Sequence, residues 1–132
     1  MAGFGSGDLP ALIDALASRY PVDKARVFIV GHSMGAMATV TSVMKAPERF
    51  AAAAPISGGG GVRKSEALTK LPFFVAAGGI DFGKGGSEAL HQQLVKAGVQ
   101  SSYHEYPDVE HLAVVQIALP DVFRFFDEHA KQ

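Results

Sequence analysis

The stretch Gly31-His32-Ser33-Met34-Gly35 constrains this chain more than any other, because of what flanks it. Arg26 to Val30 is a short, largely apolar run that reads as a strand. After the serine, Ala36, Met37, Val40, Val43 and Met44 recur three and four residues apart until Pro47, which is helical spacing. The chain therefore turns from strand to helix at a serine flanked by glycines. G-x-S-x-G alone arises by chance in glycine-rich chains, and the strand before it and helix after it are what give it meaning. Glycines two before and two after let the turn close so tightly that the serine is held on strained backbone, its hydroxyl pointing away from the sheet. The amide of Met34 then falls at a helix N-terminus, where it can donate to an oxygen that gains negative charge.

The remainder of the chain repeats the alternation. Asp8 caps a first helix with Pro10 in its first turn and Leu9, Leu12, Ile13, Leu16 and Ala17 on its apolar face. Val22 to Ala25 turns into the strand Arg26 to Val30, whose lack of polar alternation suits a parallel strand buried on both faces. Phe50 to Ile56 is a second strand despite its alanines, and Ser57 to Gly61 is a loop. Val62 to Leu71 is polar with one helical turn. Pro72 to Ala77 is the third strand, Ser87 caps a long helix that Gly98 stops, and Ser101 to Tyr106 is a fourth strand at a sheet edge. A last helix spans about Leu112 to Ala130, with Pro120 a point of interruption. The expected fold class is α/β, a mostly parallel sheet of about four strands with helices on both faces. One domain over residues 1–132 is expected, with a flexible glycine-rich start at 1–7.

Composition narrows the chemistry. The 132 residues are 48% hydrophobic and 19% charged, which suits one core that buries roughly two-thirds of the unfolded surface. Twelve basic and thirteen acidic residues are spread along the chain for a net charge of -1, so no basic stripe points to nucleic acid and no polybasic run to a membrane. A small neutral substrate fits that balance. Cysteine is absent, which excludes disulfides and thiolate metal sites. Met1 to Asp8 carries no positive charge and is not apolar, unlike a signal peptide, so a cytoplasmic location is the default expectation.

Two residues fall where a serine nucleophile needs them. Asp81 follows the third strand and His111 the fourth, and in an open parallel sheet such loops share the edge where ligands bind. A serine hydroxyl is a weak nucleophile at neutral pH and requires a base within hydrogen-bond reach. His111 would take its proton, and Asp81 would hold the imidazole in the right tautomer and stabilise its charged form. Asp108 and Glu110 compete with Asp81 as the acid. Of the other histidines, His91 and His129 are expected on solvated helix positions and His104 within a strand. His32 is expected to point toward the sheet or pack locally and, with Gly58 and Gly59, to wall a substrate pocket. No pair of histidines has the spacing and acidic partner of a zinc motif, so no metal site is expected. The run Gly58 to Gly61 lacks the glycine that a phosphate-binding loop places before its lysine, since Arg63 stands there.

The order Ser33, Asp81, His111 resembles that of the α/β-hydrolase superfamily. Gly31 to Gly35 resembles its nucleophile elbow, Gly79-Ile80-Asp81 its acid loop and Pro107 to His111 its histidine loop. The chain is similar, from the first helix onward, to the C-terminal part of serine esterases of the polyhydroxyalkanoate-depolymerase and feruloyl-esterase type. That resemblance implies hydrolysis of small to medium carboxylic esters through an acyl-enzyme, without a cofactor, with the Met34 amide in the oxyanion hole. The alternative is a non-catalytic or weakly active domain that acts by oligomerisation or binding.

The family's first strands, and the loop that supplies a second oxyanion donor, have no counterpart here. The fold is therefore expected to be a truncated α/β-hydrolase fold whose strand Arg26 to Val30 is an apolar edge, a pairing hazard that something should cover. A homodimer through that edge is expected, or a chain supplying the missing strands. Gly3 to Gly7 is a candidate source of the missing amide.

Overall fold

A computed structural model describes residues 9–130 of the chain. Helix α1 (Leu9–Ala17) lies where the apolar spacing predicts it; its expected cap, Asp8, and the glycine-rich start lie outside the described residues. Leu9 and Ile13 pack against the core, and an ion pair between Asp14 and Arg49 ties α1 to the turn at Pro47–Arg49.

Asp23 decides where the first strand begins. Its carboxylate accepts from the Ala25 amide at 3.0 Å and caps a 3-10 turn over Lys24–Arg26. Strand β1 consequently runs over Phe28–His32, two residues later than the expected Arg26 to Val30. That shift places Gly31 and His32 inside the ladder. β1 pairs in parallel with β2 (Ala52–Ile56), from Phe28 opposite Ala52 to His32 opposite Ile56. The Ser33 amide adds one more rung, donating to the Ile56 carbonyl at 2.9 Å, and helix α2 (Met34–Lys45) begins at the next residue. The serine thus leaves the sheet from its last rung.

Among the described residues the sheet has four parallel strands in the order β1-β2-β3-β4, with β3 at Phe73–Gly78 and β4 at Ser101–Tyr106. Between the strands run α2, the single turn α3 (Glu66–Thr69) and α4 (Lys84–Lys96), and α5 (Val114–Glu128) follows β4. On one face Ile29, Ala53, Phe73 and Val75 meet Val40 and Val43 of α2 and Leu90 and Leu94 of α4. On the other, Ala54, Phe74 and Ala76 meet Val114, Ala118, Val122 and Phe126 of α5. The fold is α/β with helices on both faces, as the alternation of elements predicts. Alanine is a poor strand former, yet every residue of β2 is buried. Small side chains in this inner strand let helices approach from both faces, so packing outweighs propensity.

Three expectations need correction. β1 is not buried on both faces: Ile29 is buried, but Val30 is 39% exposed, and among the described residues β1 is outermost with a neighbour on one side only. Helix α4 starts at Lys84, not after Ser87, since the Lys84 amide already bonds the Asp81 carbonyl at 3.1 Å and the Ser87 amide the Gly83 carbonyl at 3.1 Å. Ser87 is instead buried inside the helix, its hydroxyl accepting from the Gly58 amide at 3.1 Å and donating to the Ala76 carbonyl at 3.2 Å. α5 begins at Val114 and runs through Pro120 without a break. At the end of α4, Gly98 takes φ 79 and supplies the expected stop.

Candidate active site

The carboxyl ends of the four strands deliver Ser33, Ser57, Asp81 and the loop carrying His111 to one edge of the sheet. Ser33 has φ 61 and ψ -117, a conformation that costs a non-glycine residue about 1–3 kcal/mol. The two glycines of the motif contribute unequally. A Cβ on Gly31 would lie 2.0 Å from the Gly35 carbonyl oxygen and 2.4 Å from Thr39 Oγ1, whereas one on Gly35 would meet nothing within 4 Å among the described residues. Gly31 is thus the residue that lets α2 cross so close over the end of β1.

From that turn the Ser33 hydroxyl stands 2.9 Å from His111 Nε2, and His111 Nδ1 donates to Asp81 Oδ1 at 2.6 Å. The second bond requires a proton on Nδ1, which leaves Nε2 as the acceptor for the serine. Asp81 and His111 are both buried, and Asp81 accepts four hydrogen bonds in all. The Gly83 amide shares Oδ1 at 2.7 Å, while the Ser57 hydroxyl and the Gly78 amide, the latter at 3.3 Å, reach Oδ2. Burial alone would raise the Asp81 pKa; the bonds from Ser57, Gly83, His111 and Gly78 together outweigh it and hold the carboxyl below its ordinary value. It is therefore a carboxylate at neutral pH.

His111 Nδ1 bonds Asp81 and neither of the competing acids. Glu110 caps the approach to α5, accepting from the amides of Leu112 at 3.0 Å and Ala113 at 2.6 Å. Asp108 forms an exposed turn at φ 60. Among the histidines, His91 bonds Ser101 at 2.8 Å, His104 bonds Ser102 at 2.9 Å and His129 bonds the Phe125 carbonyl at 2.8 Å. His91 and His129 are half-buried and partnered rather than solvated, because both helices turn those positions toward β4 or their own last turn. Among the described residues, no group of three histidine or acidic side chains is placed to hold a metal ion.

The remaining expected residues take more specific places. Met34 opens α2, so its amide is one of the N–H groups a helix leaves without an internal partner, and its side chain is 82% exposed. The Gly3 to Gly7 segment, considered as the source of a second donor, lies outside the described residues. His32 Nε2 lies 2.6 Å from the backbone carbonyl oxygen of His111. Gly58 and Gly59 act as close-approach points, since a Cβ on Gly58 would lie 2.7 Å from the Ser33 carbonyl oxygen and one on Gly59 2.5 Å from that of Gly86.

Sequence reasoning missed two contributors. Ser57, only 2% exposed, turns the chain at φ 58 to aim its hydroxyl at Asp81. A serine at the end of a buried strand, just before glycines, is a faint signal that could have marked it. Phe82 lays its ring over His111 with centroids 3.8 Å apart while remaining 85% exposed. With Met34, Ile80 and Leu112, also exposed, it supplies apolar surface on the segments that carry the site. A cavity of about 670 Å³ lined by Pro47, Phe50, Ala67 and Leu71 lies near the start of β2, at the opposite edge of the sheet.

A parallel sheet, a strained serine at a strand-to-helix turn and the bonded series Ser33, His111, Asp81 are the features of the α/β-hydrolase fold. The prolyl oligopeptidase family model matches residues 5–83, more than half of the chain, and the chain belongs to that family. Solved structures agree on the fold. A thermostable esterase aligns over 93% of this chain and 36% of its own length at 29% identity, with a TM-score of 0.80. SOBER1 of Arabidopsis thaliana aligns over 96% and 63% at 24% identity, with a TM-score of 0.76, and the Bacillus cereus carboxylesterase over 94% and 59% at 18% identity, with a TM-score of 0.74. The chain thus spans between about a third and two-thirds of these proteins. No curated protein matches it in sequence.

Proposed function

We propose that the chain is a serine hydrolase that cleaves small to medium carboxylic esters through an acyl-enzyme intermediate. The observation that carries this reading is the connected series from the Ser33 hydroxyl through the His111 imidazole to the fully hydrogen-bonded Asp81 carboxylate. Ser33 Oγ attacks the ester carbonyl carbon as His111 Nε2 takes its proton, and the carbonyl oxygen gains a negative charge facing the Met34 amide. Collapse expels the alcohol, which receives that proton, and leaves the acyl group on Ser33. Water then repeats the sequence and releases the acid. The exposed apolar side chains of Met34, Phe82 and Leu112 favour a substrate with an apolar acyl or aryl part.

The test is turnover of short-chain nitrophenyl esters together with covalent labelling by a fluorophosphonate, with Ser33→Ala as control. Labelling of the unaltered protein that the substitution abolishes is expected. Its absence, or its persistence in the variant, would leave the non-catalytic binding domain as the function. Membership of the prolyl oligopeptidase family supports a second substrate class, a peptide amide. A blocked proline-containing peptide amide assayed beside the esters separates the two.

We also propose that two copies pair through the open edge of β1. The support is that, among the described residues, β1 has one neighbour in the sheet and Val30 lies open. A stable monomer at micromolar concentration in sedimentation would refute the dimer, and recovery of a different chain on that edge would assign the role to a partner that supplies strands.

A further inference from the structure

His32 is the last residue of β1 and the immediate neighbour of the nucleophile. Its Nε2 lies 2.6 Å from the His111 carbonyl oxygen, and the two rings sit 4.7 Å apart, inclined by 39°. A carbonyl oxygen only accepts, so His32 Nε2 carries the proton whether the ring is neutral or charged. His111 lies on the loop between β4 and α5, where Asp81 holds Nδ1 and Phe82 covers a ring face. Those contacts, with the Ile80 amide donating to the Val109 carbonyl at 3.2 Å, tie the loop to the segment after β3. The His32 bond ties it to β1, joining the residue before Ser33 directly to the backbone of the base.

We infer that His32 is a positioning residue that clamps the histidine loop to the nucleophile strand and so fixes the spacing between Ser33 Oγ and His111 Nε2. The spacing it guards, 2.9 Å, is one at which a proton passes directly. A displacement on the order of 1 Å there can cost as much as 10²-fold in rate. This role for His32 goes beyond the hydrolase reading and, for its kinetic consequence, rests on it.

Three proteins test the clamp: the unaltered chain, His32→Phe, which keeps a ring of similar bulk without a donor, and His32→Gln, whose amide nitrogen reaches close to the position of Nε2. Each is measured for kcat and KM on a nitrophenyl ester, for melting temperature and for amide hydrogen exchange over residues 109–113. For His32→Phe, kcat is expected to fall about tenfold, the size of one hydrogen bond, with KM within about twofold. Exchange in the loop should quicken and the melting temperature stay close to that of the unaltered chain. His32→Gln should restore both the exchange and most of kcat. A His32→Phe protein with unchanged exchange and kcat overturns the clamp. So does a Gln variant no better than Phe, or a rise in KM at constant kcat, which would make His32 a substrate contact. If the unaltered protein hydrolyses nothing, the hydrolase reading fails, and the exchange arm still decides the clamp by itself.

Discussion

The hydroxyl of Ser57 donates to Asp81 Oδ2 from a backbone held at φ 58. A serine pays for left-handed backbone in strain, and a glycine would not. The hydroxyl donor and the backbone strain at this position can therefore be separated by substitution. Ser57→Ala keeps the strain and loses the donor; Ser57→Gly loses both. Glycine is expected to give the more stable variant of the two by urea denaturation, while both hydrolyse a nitrophenyl ester more slowly, by about three- to tenfold, the value of one hydrogen bond. Full activity in either variant would remove Ser57 from the site.

The motif glycines make a second contrast. Gly31→Ala drives a methyl group to 2.0 Å from the Gly35 carbonyl and should fail to form the elbow, giving a large drop in melting temperature or no soluble protein. Gly35→Ala meets no described atom and lies near the start of a helix, so its stability should be unchanged or up to about 1 kcal/mol higher. If Gly35→Ala is as damaging as Gly31→Ala, the unequal roles of the two glycines are refuted.

The elbow, the strand order and the acid and histidine loops were legible because each rests on local chemistry: apolar runs, helical spacing and residues that follow strand ends. What escaped was set across the sheet. β1 slid by two residues because Asp23 caps a turn that composition alone does not announce. Ser87 looked like a cap, yet the helix was already started by bonds to Asp81 and Gly83, and its hydroxyl serves Gly58 and Ala76 on other segments. Ser57 and His32 bond residues 24 and 79 positions away. No periodicity reports such pairs.

Stability should fall with acidity through His104. Its ring stacks on Phe74 with centroids 4.0 Å apart, and burial, opposed by Asp121 and reinforced by His91, lowers its pKa below the ordinary 6.5. A histidine depressed in the folded state takes up its proton more readily when unfolded. Its contribution is therefore full above pH 6.5 and is lost as pH falls through the depressed folded value. The urea midpoint should be lower at pH 5.5 than at 7.5, and His104→Phe, which keeps an aromatic ring against Phe74, should reduce that difference. An identical pH response in the variant would assign the effect to another group.

Asp81→Asn probes charge separately from orientation, and the four donors around the carboxylate say how. An amide nitrogen placed at Oδ1 would confront both the Gly83 amide at 2.7 Å and the proton on His111 Nδ1. At Oδ2 it would meet the weaker Gly78 contact at 3.3 Å and the Ser57 hydroxyl, which can rotate from donor to acceptor. The substituted amide should therefore turn its nitrogen toward Ser57 and keep its oxygen on His111, preserving the tautomer. The loss is then that of a charged acceptor replaced by a neutral one, roughly 10- to 100-fold in kcat, and not the roughly 10⁴-fold that follows when the tautomer itself is wrong. The acid limb of stability should also change. A carboxylate depressed in the folded state stabilises fully above its unfolded pKa near 3.8 and loses that contribution as pH falls through the folded value, so Asp81→Asn should flatten the stability curve below about pH 4. Nitrogen NMR of the histidine rings gives the decisive readout: a proton remaining on Nδ1 of His111 supports this account, and its transfer to Nε2, with a roughly 10⁴-fold loss, refutes it.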